Sequence, residues 1–315
     1  MGVFYCFLWK RKVNNSILYV TVMDSFKKGW FTETGTLHSD VVMSVKVNKI
    51  LYHEKSKYQD ILIFECDKWG RVLVLDNAVQ LAEFDEFAWQ ETSSFVSLNS
   101  HPHPKKVLII GGGVGGVVRE CSKHPLVESI DICEIDEKVH EASKKFLPFM
   151  CKGFESTKYK LHFADGAEFV KNHPQEYDVI ITDSPDPKGV GACLFENSYY
   201  VSLKKALKPG GILVSQGETF WYDLEMMAKM IKMCKSLFPV VDYGTTYIAT
   251  YPAGHIGYLC CSDNPETNFR KPLHTFSRET LKLFQLKYYT PEIHRAMFAL
   301  PFKMAEALGL SWEVK

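Results

Sequence analysis

The sequence predicts an α/β fold: a Rossmann-like, mostly parallel sheet with helices on both faces, plus a small N-terminal antiparallel β domain. Between residues 107 and 215, apolar runs alternate with helix-length segments, which is typical of parallel strands covered on both faces. Residues 41–80 carry shorter runs with a period near two, broken by Gly and Asp, which indicate antiparallel strands. A helix is predicted between Phe84 and Phe95, where the period changes.

The chain divides into three segments. Residues 1–22 are a leader that we expect to be disordered or dispensable, because its two apolar runs are too short to span a bilayer and Met23 begins an ordinary N-terminus. Residues 23–83 are predicted to form the β domain. Residues 84–315 are predicted to form the Rossmann-like domain, with a helical segment at its C-terminal end.

Composition limits the ligands that the chain can attract. Lys and Arg together number 37, as do Asp and Glu, so the net charge is zero and predicts neither nucleic-acid nor membrane binding. A cationic ligand would need a local cluster of acids. The nine cysteines contain no Cys-x-x-Cys pair, which predicts reduced thiols in a cytoplasmic protein and no metal site.

The predicted parallel strands end in the residues that carry chemistry. In such sheets, ligands bind beyond the carboxyl ends of the strands. The five strands are predicted at residues 107–110, 129–135, 159–163, 179–183 and 211–215.

A glycine-rich loop follows the first of these strands. Gly111 to Gly116 contains five glycines around Val114, which allows close approach of the backbone to a ligand. Glu134 ends the next strand, where an acid can accept hydrogen bonds from ribose hydroxyls, and Asp165–Gly166 ends the third, within reach of an adenine. The glycines alone do not separate a dinucleotide from an S-adenosyl compound, and an Asp–Gly pair is also an ordinary turn.

Two acids follow the fourth strand. Asp183 and Asp186 are spaced three residues apart, and Pro185 and Pro187 stiffen the loop between and after them. The pKa of an alkylammonium in water is about 10.4, so a positioned carboxylate that removes its proton would assist attack by the amine. The pattern predicts a site for a cationic amine, although a simple turn can have the same composition.

At these residues the chain resembles the polyamine aminopropyltransferases, and the spermidine synthase family most closely. The resemblance implies transfer of an aminopropyl group from decarboxylated S-adenosylmethionine to putrescine. It also implies that the protein needs no cofactor or metal and forms a homodimer or a higher homo-oligomer. The matching segments are residues 28–33, 56–60, 72–76, 85–87, 90–91, 133–137, 216–218, 250–252 and 286–289, with His294.

The resemblance also implies residue roles. Asp183 would be the general base, Asp186 would bind the diamine, and Gln90 would lie near the reacting amine. Glu134 would bind the ribose. The other implied contacts are Gly111, Gly113 and Val114 in the glycine loop, Asp165 and Gly166 at the adenine, and Trp89, Gln216, Trp221 and Tyr251 along the polyamine groove.

Three positions depart from the family pattern. Val114 replaces an Asp that would pair with the ammonium group of the donor, and Val41 replaces a donor-binding Gln. Trp89 keeps the ring of the usual Tyr and loses its hydroxyl. Losing a hydrogen bond to a charged group costs roughly 1.5–3 kcal/mol, so we expect weaker donor binding. The alternatives are an impaired paralogue that acts as a regulatory or partner subunit, and another S-adenosyl-dependent transferase.

Overall fold

A computed structural model describes residues 8–13, 16–21, 29–34, 41–184, 187 and 189–311. Within these residues the N-terminal part is all β. Its strands are β1 (Leu8–Val13), β2 (Ser16–Thr21), β3 (Trp30–Glu33), β4 (Met43–Lys46), β5 (Lys49–Lys55), β6 (Asp60–Cys66), β7 (Gly70–Leu75) and β8 (Ala78–Ala82).

These strands form three antiparallel units. β1 pairs with β2 inside the predicted leader, whose dispensability stays a prediction, and β3 pairs with β4. Strands β5 to β8 form a four-stranded meander in sequence order. Both faces of the meander are buried: Ile61 and Leu73 pack toward the rest of the chain, whereas Phe64 and Val72 pack with Val45 of β4. The predicted antiparallel β domain is therefore present, while its predicted limits at residues 23 and 83 stay a prediction.

A seven-stranded sheet forms the larger part. Its strands are β9 (Lys106–Gly111), β10 (Ser129–Glu134), β11 (Tyr159–Phe163), β12 (Tyr177–Asp183), β13 (Leu207–Gln216), β14 (Val240–Tyr247) and β15 (His255–Ser262). In space they follow the order β11-β10-β9-β12-β13-β15-β14. The first five are parallel, which confirms the five predicted strands, and β15 and β14 add an antiparallel edge that the sequence patterns did not predict.

Helices cover both faces of this sheet, and its central strands β9 and β12 are almost wholly buried. One apolar layer joins α1 and α2 to the sheet, and a second joins α4, α5 and α6 to the other face. The helices are α1 (Glu86–Ser100), α2 (Gly116–Lys123), α3 (Glu137–Phe146), α4 (Gly166–Lys171), α5 (Asn197–Ala206), α6 (Phe220–Leu237), α7 (Arg278–Leu283), α8 (Pro291–Ala296) and α9 (Phe302–Ala307). The predicted Rossmann-like fold is confirmed.

The C-terminal helical segment is fixed to the sheet through α1. The buried carboxylate of Glu91 accepts hydrogen bonds from the backbone N–H groups of Lys287, Tyr288 and Tyr289, each at 2.8 Å. None of the helices in the described part of the chain is long and apolar enough to cross a membrane.

Strand order reverses between β9 and β12, because the chain leaves β9 toward β10 and β11 on one side and returns to β12 on the other. Such a reversal opens a crevice at the carboxyl ends of the two strands. Gly111 at the end of β9 pairs with Asp183 at the end of β12. The glycine loop and the first predicted acid therefore meet at this crevice.

Candidate active site

One cleft opens at the strand reversal and contains most of the predicted site residues. Its empty volume, with the open mouth included, is about 1450 Å³. The predicted residues on its walls are Trp89, Gln90, Gly111, Gly113, Val114, Glu134, Asp165, Gly166, Asp183, Gln216 and Tyr251.

Glu134 is held by backbone donors at the glycine loop. Its carboxylate accepts a hydrogen bond from Gly113 N–H at 3.0 Å and another from Asp136 N–H at 2.8 Å. A Cβ at Gly113 would lie 2.5 Å from Glu134 Oε2, so the loop needs glycine here. Burial raises the pKa of Glu134 to about 7, against the lowering effect of the two N–H groups.

Asp183 is held by a side-chain donor. The indole Nε1–H of Trp89 donates to Asp183 Oδ1 at 2.7 Å. Burial raises the pKa of Asp183 to about 6, and the hydrogen bond from Trp89 acts in the opposite direction. The Trp89 ring is fixed by stacking on Tyr258, with centroids 4.7 Å apart and an angle of 12° between planes. The lost tyrosine hydroxyl is thus replaced by another donor.

Gln90 follows Trp89 on α1 and lines the same cleft as Asp183. It is 3% exposed, and its Oε1 has no hydrogen-bond partner among the described residues. A Cβ at Gly116 would lie 2.4 Å from Gln90 Cδ, so the start of α2 packs directly against this amide. A buried amide oxygen without a partner on the wall of a cleft is suited to accept a hydrogen bond from a ligand.

The Asp165–Gly166 pair begins α4. Asp165 Oδ1 caps the helix by accepting from Ala167 N–H at 2.8 Å and from Glu168 N–H at 3.3 Å. Gly166 packs against Ile110, whose Cγ2 would lie 2.5 Å from a Cβ. Asp165 is exposed, and both residues line the cleft.

Val114 lies on an apolar wall. Its side chain packs against the apolar cluster that includes Ile61, Leu73, Leu81 and Val139, and Leu73, Leu81 and Val139 also line the cleft. This wall has no carboxylate at the position where the family has one.

The opposite end of the cleft is polar. Gln216 Nε2 donates to Glu218 Oε1 at 3.1 Å, and Tyr251 OH donates to the carbonyl of Gln80 at 2.7 Å. Trp221 does not line the cleft and is 56% exposed, whereas its neighbour Tyr222 lines it.

Several cleft residues were missed by the sequence reasoning. Glu218 and His255 lie at the polar end, and Gln59 reaches in from the β domain. Glu218 has a φ of 41°, outside ordinary strand geometry. The position of Glu218 two residues after Gln216 was a signal for it, whereas His255 lies at the start of the unpredicted strand β15 and had none.

Besides Trp221, two predicted positions are not among the described residues that line the cleft. Asp186 lies outside the described residues, as do residues 38–40 before Val41. Val41 itself is exposed and does not line the cleft.

Comparison with known sequences identifies the family. Residues 86–271 match the family model described as "Spermine/spermidine synthase domain", and residues 29–83 match the "Spermidine synthase tetramerisation domain". The chain belongs to the spermidine synthase family. The resemblance inferred from the motifs is confirmed.

Individual relatives agree over nearly the whole chain. The spermidine synthase of Dictyostelium discoideum is 47% identical over 288 residues, which are 91% of this chain and 100% of that protein. The spermidine synthase of Schizosaccharomyces pombe is 46% identical, over 87% of this chain and 92% of that protein.

Solved structures agree with the fold. A spermidine synthase crystallised with the transition state analogue AdoDATO has a TM-score of 0.82 and 37% identity, over 89% of this chain and 94% of the other. The spermidine synthase of Thermotoga maritima has a TM-score of 0.80 and 36% identity, over 90% and 94%.

Proposed function

We propose that the protein is an aminopropyltransferase that makes spermidine and methylthioadenosine from putrescine and decarboxylated S-adenosylmethionine. The observation that carries this proposal is Asp183, a half-buried carboxylate held by Trp89 N–H and adjacent to the glycine loop. Membership of the spermidine synthase family supports the same reaction.

The glycine loop and the ends of β10 and β11 are proposed to bind the nucleoside. Gly111 and Gly113 let the backbone approach the donor closely, and Glu134, fixed by two backbone donors, accepts hydrogen bonds from the ribose hydroxyls. Asp165 has one oxygen engaged in capping α4, and with Gly166 it borders the adenine. The apolar wall at Val114 contacts the chain attached to sulfur.

Asp183 is proposed to act as the general base. It takes a proton from the attacking ammonium of putrescine, and the freed lone pair forms a bond to the aminopropyl carbon that is attached to the sulfonium. The carbon–sulfur bond breaks, and its electron pair neutralises the sulfur as methylthioadenosine leaves. A pKa of about 6 leaves Asp183 mostly ionised at neutral pH and closer to the amine in basicity than an exposed carboxylate, which favours this transfer.

Other cleft residues are proposed to position the amine. Gln90 Oε1 accepts from the reacting amine, and Gln216 and Tyr251 line the groove for the rest of the diamine. Asp186 is proposed to bind the diamine as well. A sulfonium is already a good leaving group, so the proposed reaction needs no cofactor besides the donor.

The proposed assembly is a homodimer or a higher homo-oligomer formed through the β domain. The match of residues 29–83 to a tetramerisation domain supports this. The proposed compartment is the cytoplasm, which fits the eight free cysteines of the described residues.

The test is to incubate the purified protein with putrescine and decarboxylated S-adenosylmethionine. Spermidine and methylthioadenosine should accumulate in equal amounts, and Asp183→Asn should abolish both. Methyl transfer from S-adenosylmethionine instead, or binding to another chain without turnover, would reject the proposal. The relatives reported above are synthases by name, which gives no support to these alternatives.

A further inference from the structure

His255 presents a buried ring nitrogen at the polar end of the cleft. The side chain lines the cleft and is 6% exposed. Its Nδ1 is 3.0 Å from Thr219 Oγ1. Its Nε2 is buried and has no hydrogen-bond partner in the part of the chain that the structure describes. Because a buried polar atom without a partner is costly, this nitrogen is suited to a ligand.

The strand order gives the distance between His255 and the reacting end of the cleft. Asp183 ends β12, and β15 begins at His255 and lies two strands away, beyond β13. Neighbouring strands are about 4.8 Å apart, so β12 and β15 are separated by roughly 10 Å. The register places Asp183 level with Tyr258, three residues or roughly 10 Å along β15 from His255, so the two backbones lie roughly 14 Å apart. With a side chain reaching in from each strand, the remaining gap suits an extended diamine.

The surroundings of His255 favour a neutral ring and a cationic ligand. Phe220 packs edge-on against the imidazole, with centroids 4.5 Å apart, and burial lowers the pKa of His255. The carboxylate of Glu218 lines the same cleft, and none of the described residues that line the cleft is a Lys or Arg. The ligand that complements it is an ammonium group.

The hydrogen bonds of Thr219 leave an acceptor free on His255. Thr219 Oγ1 caps α6 by accepting from Trp221 N–H at 3.3 Å, and it can also accept from His255 Nδ1–H. In that tautomer Nε2 carries a lone pair that faces the cleft.

We propose that His255 Nε2 accepts a hydrogen bond from the far ammonium group of the diamine, so that His255 selects diamines over monoamines. This inference rests on the proposed function, because it places the reacting amine at Asp183. It adds a second contact point, at the other end of the acceptor.

The test compares two amines that differ only in the far ammonium group. The dissociation constants of putrescine and butylamine are measured by calorimetry on protein saturated with methylthioadenosine. In His255→Ala, the constant for putrescine should rise roughly ten- to hundredfold, as expected for loss of a hydrogen bond to a charged group. The constant for butylamine should change less than about twofold, because this ligand lacks the group that His255 binds.

Three further variants sharpen the comparison. His255→Gln keeps an acceptor and should recover part of the putrescine affinity, whereas His255→Leu should not. His103→Ala is the matched control, since His103 is exposed before β9 and outside the cleft. Binding of methylthioadenosine should be unchanged in all of them, which shows that the variants are folded.

The outcomes separate this inference from the proposed function. Equal weakening of putrescine and butylamine, or no weakening of either, would overturn the role of His255 even if the wild-type protein makes spermidine. Absence of turnover in the wild-type protein would reject the proposed reaction, while the two binding constants would still decide whether His255 binds the far ammonium.

Discussion

The nucleoside end of the cleft holds a buried carboxylate and the acceptor end a half-buried one, and the two are held differently. Glu134 accepts from two backbone N–H groups, whose positions follow from the glycine loop and the start of α3. Asp183 accepts from the indole of Trp89. A backbone N–H group is present whatever side chain its residue carries, whereas the hydrogen bond to Asp183 depends on the side chain at position 89. The acceptor end should therefore be the easier one to tune by substitution.

The two ends also differ in how they accommodate a departure from the family pattern. At position 89, the indole N–H supplies a donor in place of the missing hydroxyl. At position 114, the valine side chain packs into an apolar cluster and brings no polar atom. The structure therefore has a replacement hydrogen-bond donor at the acceptor end. At the site of Val114, the described residues provide no replacement acid.

The largest effect is expected for Asp183→Asn. The amide cannot take the proton from the amine, so kcat should fall by at least about 10²-fold, while the KM of the donor changes little. Initial rates of methylthioadenosine formation measure this. The matched control is Asp263→Asn, because Asp263 follows the last residue of β15 and does not line the cleft. Turnover retained in Asp183→Asn would remove Asp183 from the mechanism.

Glu134→Gln should mainly affect the nucleoside end. Loss of the charged acceptor should weaken methylthioadenosine binding roughly ten- to hundredfold, measured by calorimetry. Because the pKa of Glu134 is raised to about 7, wild-type binding should weaken as the pH falls from 8 to 6 and the carboxylate gains a proton.

In Glu134→Gln, the binding of methylthioadenosine should no longer depend on pH between 8 and 6. Glu137→Gln, an exposed acid in the first turn of α3, should keep both the affinity and the pH dependence. A variant that binds as tightly as the wild type would show that the ribose is held elsewhere.

Val114→Asp tests the apolar wall. If the donor ammonium lies there, an acid should lower the donor KM by roughly tenfold, while its burial among apolar side chains lowers the melting temperature. Val114→Asn is the neutral control and should not lower the KM. An unchanged KM in Val114→Asp would mean that another residue already binds the ammonium.

The smallest effect is expected for Trp89→Phe. Removing the N–H donor raises the pKa of Asp183, so the acid limb of the kcat/KM profile should move to higher pH. If the pKa of Asp183 rises by about one unit, kcat/KM should fall roughly twofold at pH 7 and roughly fivefold at pH 6. Trp89→Tyr keeps a polar hydrogen and should restore the profile; an unmoved limb in Trp89→Phe would contradict this account of the pKa.

Sequence reasoning succeeded where one local pattern determines the structure. The five parallel strands are rich in apolar residues, and three of them end in residues that carry chemistry, so both the sheet and the positions of Gly111, Glu134 and Asp183 were predictable. Strand β15 is equally apolar, but it runs antiparallel to its neighbours, and no helix-length connection marks it as part of the sheet.

Contacts between distant segments could not be predicted. The bond from Trp89 to Asp183 joins residues 94 positions apart and depends on the packing of α1 against the sheet. The family resemblance implied Trp221 in the groove, but the capping of α6 by Thr219 fixes the phase of the helix, and Tyr222 lines the cleft instead. His255 was missed for the same reason.

The β domain forms part of the cleft as well as carrying the match to a tetramerisation domain. Ser56 Oγ and Gln59 Nε2 both donate to Asp136 Oδ2, at 2.6 Å and 3.0 Å, and the backbone N–H of Asp136 donates to Glu134. Leu73, Val79 and Leu81 complete the apolar side of the pocket. A fragment that begins at residue 84 would keep every acid discussed above but would lose one wall of the cleft, so the N-terminal module cannot be replaced without rebuilding the substrate chamber.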